Sequence, residues 1–126
     1  MNIKTEDPKS IALQFNNCIN NRDLDGLAKL MSDDHTFIDR EGKVSQSKQT
    51  MVDGWRNFFR AFPHYKNTFN HIVSKDNVVF IRGFAFWSEE NPHDPVIWTA
   101  TIVDDLVREW RVYVDTPENR ERFNLT

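Results

Sequence analysis

Charged and hydroxyl side chains in the C-terminal half of the chain are the first candidates for chemistry. Glu109 and Arg111 are two residues apart in an alternating segment, so a strand places them on one face, and Arg82 could lie close by. Such a cluster can clamp the carboxylate of a ligand, or it can be a structural ion pair. Tyr113 continues the same face and could donate a hydrogen bond to a ligand oxygen or simply pack at a cavity edge.

Histidine and cysteine are too scattered to form the usual metal and redox motifs. His35, His64, His71 and His93 include no pair at i,i+2 or i,i+4 spacing, and Cys18 is the only cysteine. The sequence contains no glycine loop for a phosphate and no dinucleotide fingerprint. We therefore predict no metal and no cofactor. The net charge of -3 argues against a dedicated nucleic-acid binder.

Three helices are predicted in the N-terminal half, because its apolar residues recur at helical spacing. Residues that cap helices, and prolines that begin or end them, set the boundaries. The predicted helices run from Asp7-Pro8 to Asn20-Asn21, from Asp23 to Asp33-Asp34, and from Ser47 to Pro63. Between the last two, alternating residues place Phe37 and Asp39 on one face, ahead of a turn at Glu41-Gly42.

From about Tyr65 onward the period changes to two residues, which is typical of strands. The predicted strands are Lys66–Val73, Val78–Glu89, Val96–Val103 and Leu106–Asp115. Helices followed by antiparallel strands predict an α+β fold, with the helices on one face of the sheet. The 126 residues suffice for a single domain spanning residues 1–126, and no apolar run is long enough to cross a membrane. We expect a soluble, cytoplasmic protein.

Neither face of the predicted sheet is uniformly polar. One set of strand residues mixes apolar, threonine and ionisable side chains, as expected beneath helices that close over a cavity. The other set includes Trp98, Trp110, Val112 and Val114 and is too apolar to be left in water without a partner. We therefore predict a homodimer through this outer face, the alternative being an aromatic cluster covered by the chain's own tail.

Four segments together resemble the SnoaL-like branch of the nuclear transport factor 2-like superfamily, which is related to ketosteroid isomerase and polyketide cyclases. They are Asn21–Leu27, Met31–Asp39, Gly54-Trp55 through Phe62-Pro63, and Trp110–Asp115. The resemblance implies a cone-shaped, strongly curved antiparallel sheet of the cystatin-like type, with three N-terminal helices packed on its concave face. It further implies a pocket at the wide end of the cone, and often a dimer.

The resemblance also implies which side chains contact a ligand. These contacts are the mixed set of strand residues together with aromatic residues of the helices: Phe15, Trp55, Phe59, Phe84, Phe86, Thr99, Thr101, Glu109 and Arg111. Asp39 stands where isomerase-type relatives carry a general base. Phe15 replaces their tyrosine and Thr99 their protonated acid, so the usual hydrogen-bond donors to an enolate are missing. Tyr113 or Arg82 would have to serve as the electrophile.

We therefore expect a small, mostly apolar organic ligand in the pocket. As an enzyme the protein would catalyse cofactor-free isomerisation or cyclisation with Asp39 as base; it could equally be a non-catalytic ligand-binding protein. Asp39 could instead cap the Glu41-Gly42 turn or pair with an arginine. Another branch of the superfamily suggests epoxide hydrolysis, in which an arginine and two carboxylates orient a water. A protein-interaction module that uses the apolar sheet face is a further alternative.

Overall fold

The computed structural model describes residues 7–88 and 94–126, which form four helices and a six-stranded sheet. In chain order the elements are α1 (Pro8–Asn21), α2 (Leu24–Leu30), β1 (Met31–Ile38), β2 (Val44–Gln46), α3 (Lys48–Ala61), β3 (Lys66–Lys75), β4 (Val78–Phe86), β5 (Asp94–Val103), β6 (Leu106–Val114) and α4 (Pro117–Arg122). The strands are ordered β2-β1-β6-β5-β4-β3 in the sheet. The predicted α+β class is confirmed, with the first three helices on the concave face.

Side-chain caps explain why the helices begin where they do. The Asp7 carboxylate accepts from the Lys9 backbone N–H at 2.9 Å, and the Asp23 carboxylate accepts from that of Gly26 at 2.9 Å. The Ser47 hydroxyl accepts from the backbone N–H of Thr50 at 3.2 Å. Each cap satisfies one of the N–H groups that a helix leaves unpaired at its start. The predicted starts of all three helices are therefore confirmed.

The second helix is shorter than predicted. It ends at Leu30, and the chain continues directly as strand β1 from Met31. Met31 is extended because it pairs with Val107 of β6, which runs parallel to β1. A partner that lies so far along the chain leaves no local signal, so the apolar spacing alone extended the helix too far.

The hairpins of the sheet are close to the prediction. Asp104 and Asp105 join β5 to β6 with φ of 53° and 61°, the left-handed pair of a tight hairpin turn. Asp76, with φ of 55°, begins the turn between β3 and β4. Strand β4 ends at Phe86. The predicted strand end at Glu89 and the residue His93 lie outside the described residues.

The two faces of the sheet are the reverse of the prediction. Trp98 and Trp110 are each 1% exposed and belong to the core that α1 closes, where Phe15 lies 4.8 Å from Trp110 between ring centroids. The more apolar set therefore faces the helices, because burying it removes more apolar surface from water. The predicted dimer face is wrong for these two residues, since the protomer itself buries them. The homodimer remains a prediction.

The convex face carries the mixed set, and the C-terminal tail covers part of it. Phe123 and Leu125 of the tail form a second small core with Ile97 of β5. Asp115, whose side chain is 6% exposed, receives hydrogen bonds from Arg82 at 3.3 Å and from Arg120 of α4 at 2.7 Å. This triad fastens α4 to the sheet, and it gives Arg82 a structural role.

Strand β3 bends sharply over β4 at a single glycine. The pairing register shifts between Phe69 and His71, which leaves Asn70 as an extra residue in β3. Opposite this bulge stands Gly83, where an added Cβ would lie 1.9 Å from the Thr68 carbonyl oxygen. Only glycine lets the two backbones approach so closely, and the bend curves the sheet around the core.

His35 is a buried titratable group of β1. Its Nδ1 lies 2.7 Å from the Val107 carbonyl oxygen, so Nδ1 carries the hydrogen, whereas no group in the described residues bonds Nε2. Burial lowers the pKa of His35 below its ordinary value of 6.5, although the Val107 carbonyl and the Asp34 carboxylate oppose the shift. The folded protein therefore holds this ring neutral.

We predict that this histidine makes the protein lose stability in mild acid. Because the pKa is lower in the folded state, the unfolded chain takes up the proton first, so the free energy of unfolding falls as the pH drops below about 6.5. The slope should approach about 1.4 kcal/mol per pH unit at most. Urea melts at several pH values should show that His35→Asn, which keeps a donor for Val107, flattens this slope. The same change in slope with His64→Gln, at an exposed histidine, would contradict the assignment.

None of the helices in residues 7–88 and 94–126 has both the length and the apolar character that crossing a membrane requires.

Candidate functional site

A cavity of about 420 Å³ lies between α3, the β1–β2 hairpin and the concave face of the sheet. Its apolar walls are formed by Phe37, Met51, Gly54, Trp55, Phe58, Trp87, Val96, Trp98, Trp110 and Val112. Its polar groups come from Asp39, Arg40, Ser45, Thr50, Tyr65 and Asn67. A mostly apolar space of this size with a few polar groups is typical of a site for a small organic molecule.

All four tryptophans of the chain line this cavity. Trp98 and Trp110 project from neighbouring strands, where Trp98 is paired with Val112 and Trp110 with Ala100. Trp55 reaches across from α3 and meets the edge of Phe37 at 6.2 Å between ring centroids. Large flat rings from both layers thus enclose the space, which gives a ligand extensive apolar contact.

Asp39 lies at the end of β1, on the cavity wall, and caps the turn that follows. Its Oδ1 accepts from the backbone N–H groups of Glu41 and Lys43, both at 2.9 Å. No hydrogen bond from residues 7–88 or 94–126 reaches Oδ2. The turn-capping role that the sequence left open is therefore present, and among the residues that the structure describes one oxygen of the carboxylate has no hydrogen-bond partner.

An ion pair stands beside the cavity at the end of the β1–β2 hairpin. Arg40 forms a bidentate pair with Asp94 at the start of β5, and the indole N–H of Trp87 donates to Asp94 Oδ2 at 2.9 Å. Burial opposes ionisation of Asp94, but the hydrogen bonds from Arg40 and Trp87 outweigh it and lower the pKa of this carboxyl. The charge of Arg40 is thereby neutralised within the protein.

The C-terminal end of α1 positions the first residues of β3. The Asn20 side chain donates to the Asn67 carbonyl at 2.9 Å and accepts from its N–H at 2.8 Å, so an amide side chain replaces a strand partner. Arg22 donates to the Tyr65 carbonyl at 3.0 Å. These bonds hold Tyr65 and Asn67 against the cavity, where burial raises the pKa of the Tyr65 phenol and keeps it protonated.

Of the predicted site residues, Asp39 and Trp55 line the cavity. Phe15 and Phe59 are buried behind the lining residues Trp110 and Trp55. The predicted positions of the others are wrong, because they belong to the strand set that faces away from the helices: Tyr113, Arg82, Phe84, Phe86, Thr99, Thr101, Glu109 and Arg111. The same reversal removes the arginine and carboxylate cluster on which the epoxide-hydrolysis alternative depended.

Among the site residues that sequence reasoning missed are Tyr65 and Asn67. Both stand where the periodicity changes from helical to alternating, and that position marks them only as the start of a strand. The sequence feature that could have identified them is their polar character, because they lie at the edge of an otherwise apolar strand face. Their placement depends on Asn20 and Arg22, which are more than forty residues away in sequence.

A family model for a SnoaL-like domain matches residues 12–123. Comparison with curated proteins gives no significant match. A candidate SnoaL-like polyketide cyclase from Shewanella putrefaciens CN-32 has a TM-score of 0.76 and 12% identity, over 98% of this chain and 89% of its own. A candidate polyketide cyclase from Sinorhizobium meliloti has a TM-score of 0.73 and 16% identity, over 82% and 93%. A candidate ketosteroid isomerase from Kribbella flavida has a TM-score of 0.70 and 12% identity, over 91% and 85%. At such identities the likeness shows the fold alone.

Proposed function

The chain belongs to the SnoaL-like domain family, and we propose that its cavity binds a small, mostly apolar organic molecule. The observation that carries this proposal is the gathering of all four tryptophans around one space of about 420 Å³. The nearby Arg40 is already neutralised by Asp94, so the described residues that line the cavity include no free cation for a strongly anionic ligand. A protein-interaction role through Trp98 and Trp110 loses its basis, since the helices cover both rings.

The second candidate function is proton transfer at a carbon next to a carbonyl group. It is favoured by Asp39, a residue of the cavity wall whose Oδ2 receives no hydrogen bond from the described residues. A base of this kind needs a donor for the developing oxyanion. Tyr113 and Arg82 are on the convex face, so the protonated phenol of Tyr65 takes that role in the proposal. The names of the cyclase and isomerase neighbours agree with such chemistry.

We predict that filling the cavity from Gly54 of α3 weakens binding. An added Cβ at Gly54 comes no closer than 3.9 Å to its nearest neighbour, the Met51 methyl group, so the larger side chain of Gly54→Leu extends into free space beside the lining residues. The affinity for 1-tetralone, a bicyclic ketone, should fall at least about tenfold because the leucine displaces the ligand's apolar contacts.

Gly54→Ala is the matched control and should keep the wild-type affinity. Binding is measured by NMR from the indole N–H signals of the four tryptophans, which report on the cavity walls. If no bicyclic probe moves these signals in the wild-type protein, the proposed function is wrong. Equal affinities for the Leu and Ala variants would place the binding site elsewhere.

A further inference from the structure

The cavity opens to solvent between helix α3 and the β1–β2 hairpin. Of the described residues that line it, the exposed ones are Arg40, in the turn of the hairpin, and Thr50 and Gly54 of α3. A residue that both lines a cavity and reaches solvent marks the boundary between the two. Thr50, Gly54 and Phe58 follow one another at intervals of four residues, so they share one face of α3. This face forms one side of the entrance.

Three side chains joined by hydrogen bonds form the other side of the entrance. Both carboxylate oxygens of Asp94 accept from Arg40, and Oδ2 also accepts from the indole N–H of Trp87 at 2.9 Å. Arg40 and Trp87 both line the cavity. Trp87 packs edge-on against Phe58, 5.7 Å away between ring centroids, so this side of the entrance meets α3 there. Arg40, Asp94 and Trp87 together form a rim bridge.

The rim bridge crosses the ends of several strands of the sheet. Asp94 is paired with Ala85 of β4, and Trp87 follows Ala85 by two residues, so both side chains lie on the concave face. Arg40 follows the end of β1, and in the sheet β6 separates β1 from β5. The Arg40–Asp94 pair therefore reaches past the end of β6. Because β1 and β5 are not neighbours, this link between them depends on side chains alone.

The rim bridge can open without unfolding a strand. The side chains of Arg40 and Asp94 are 35% and 24% exposed, so water can replace their hydrogen bonds when they separate. A bidentate arginine–carboxylate pair is stronger than a simple ion pair, whereas partial exposure keeps its net stabilisation modest. Rotation of the Arg40 side chain away from Asp94 is enough to widen the entrance.

We infer that Asp94 is a positioning residue that holds Arg40 and Trp87 at the entrance and thereby sets how fast a ligand enters and leaves the cavity. This inference rests on the proposed function and concerns the regulation of the same site. Asp94 acts through the two lining residues that it bonds. Since entry and exit cross the same barrier, the rim bridge should affect both rate constants and leave the affinity nearly unchanged.

The exchange kinetics of 1-tetralone test the inference. Asp94→Ala removes the hydrogen bonds of the rim bridge, so the association and dissociation rate constants should both rise about tenfold while the dissociation constant changes less than about twofold. An NMR titration with line-shape analysis of the Trp98 and Trp110 indole signals gives all three quantities. Asp53→Ala is the matched control, because it removes an exposed aspartate that is ion-paired with Arg56, and it should leave the rates unchanged.

A second substitution shows whether the pair acts as one unit. Arg40→Met removes the same ion pair from its other side and should also accelerate both association and dissociation. The double variant Asp94→Ala/Arg40→Met should exchange no faster than Asp94→Ala alone, because the bond between the two residues is already lost. Accelerations that multiply in the double variant would indicate two independent structural effects and would overturn the inference.

Acrylamide quenching of tryptophan fluorescence provides a measurement that needs no ligand. In a Trp87→Phe background the remaining tryptophans are Trp55, Trp98 and Trp110, which are all buried and line the cavity. Their quenching therefore reports on access through the entrance. Adding Asp94→Ala to this background should raise the quenching rate constant about twofold or more. Unchanged quenching would show that the rim bridge does not limit access.

The outcomes separate this inference from the function on which it rests. Unchanged exchange rates in Asp94→Ala would overturn the inference and leave the binding site standing. Faster dissociation with unchanged association would make Asp94 a contributor to affinity and would also overturn it. If 1-tetralone does not bind the wild-type protein, the proposed function fails, and acrylamide quenching still decides whether the rim bridge controls the entrance.

Discussion

Gly83→Ala is expected to destabilise the protein by about 3 kcal/mol or more, or to prevent folding. The new Cβ would lie 1.9 Å from the Thr68 carbonyl oxygen. It would also lie 3.0 Å from the Thr68 carbonyl carbon and 3.1 Å from the Phe69 Cα. These atoms belong to the backbone of β3, which cannot move away as the end of a flexible side chain can. Strand pairing between β3 and β4 would have to open at the bend.

The measurement is a thermal or urea melt followed by circular dichroism. A loss of this size is a large part of the stability of an ordinary domain and should lower the melting temperature by roughly 10 °C or more. Gly54→Ala is the matched control, because its Cβ would meet only the Met51 methyl group, at an ordinary contact distance of 3.9 Å. We expect it to raise the stability by about 0.5–1 kcal/mol through helix propensity. A similar melting temperature for both variants would show that β3 does not cross Gly83 so closely.

The second large effect is expected from Asp39→Asn on proton transfer. Asparagine keeps an oxygen that can accept from Glu41 and Lys43, so the turn and the fold should survive. It lacks the basic carboxylate, and positioned bases typically contribute about 10²- to 10⁴-fold to a rate. Protein-dependent deuterium exchange at the carbon next to the carbonyl of 2-tetralone, followed by NMR in D₂O, should therefore slow about a hundredfold or more.

Asp53→Asn provides the control for this experiment. Asp53 is an exposed carboxylate on the neighbouring helix α3, paired with Arg56 at 2.8 Å, and its removal should leave the exchange rate unchanged. Retained binding of the ketone by Asp39→Asn would show that the substitution affects chemistry rather than the cavity. If the wild-type protein accelerates no exchange, or if Asp39→Asn exchanges as fast, the cavity is a binding site without this base.

The family resemblance, the fold class and the starts of the helices could be read from the sequence, because local features carry them. Helix caps such as Asp7 and Ser47 act on backbone groups a few residues away. The change of period near Tyr65 likewise follows from neighbouring side chains. The parallel pairing of β1 with β6 could not be read in this way. Met31 meets Val107 only in the folded chain, and the helix prediction ran past Leu30 for that reason.

The composition of the cavity was decided by the tertiary structure. Alternation divides each strand correctly into two sets, but both sets contain apolar residues, and the pattern does not state which set the helices cover. The folded protein buries the set with Trp98 and Trp110, since this removes more apolar surface from water. Glu109 and Arg111 consequently face away from the helices, so the cavity has apolar walls where ionisable ones were predicted.

The sequence by itself therefore determined the starts of the first three helices, the two strand sets and the candidacy of Asp39 and Trp55, the last two through the family resemblance. The tertiary structure decided which strand set faces the cavity and brought Asn67 to its wall through the side chain of Asn20. Within the described part of the chain it also left the indole N–H of Trp55 and the side-chain carbonyl of Asn67 without a hydrogen bond. The physical reason is that periodicity arises from neighbours in the chain, whereas burial and hydrogen-bond satisfaction depend on residues that meet only when the sheet curves around the helices.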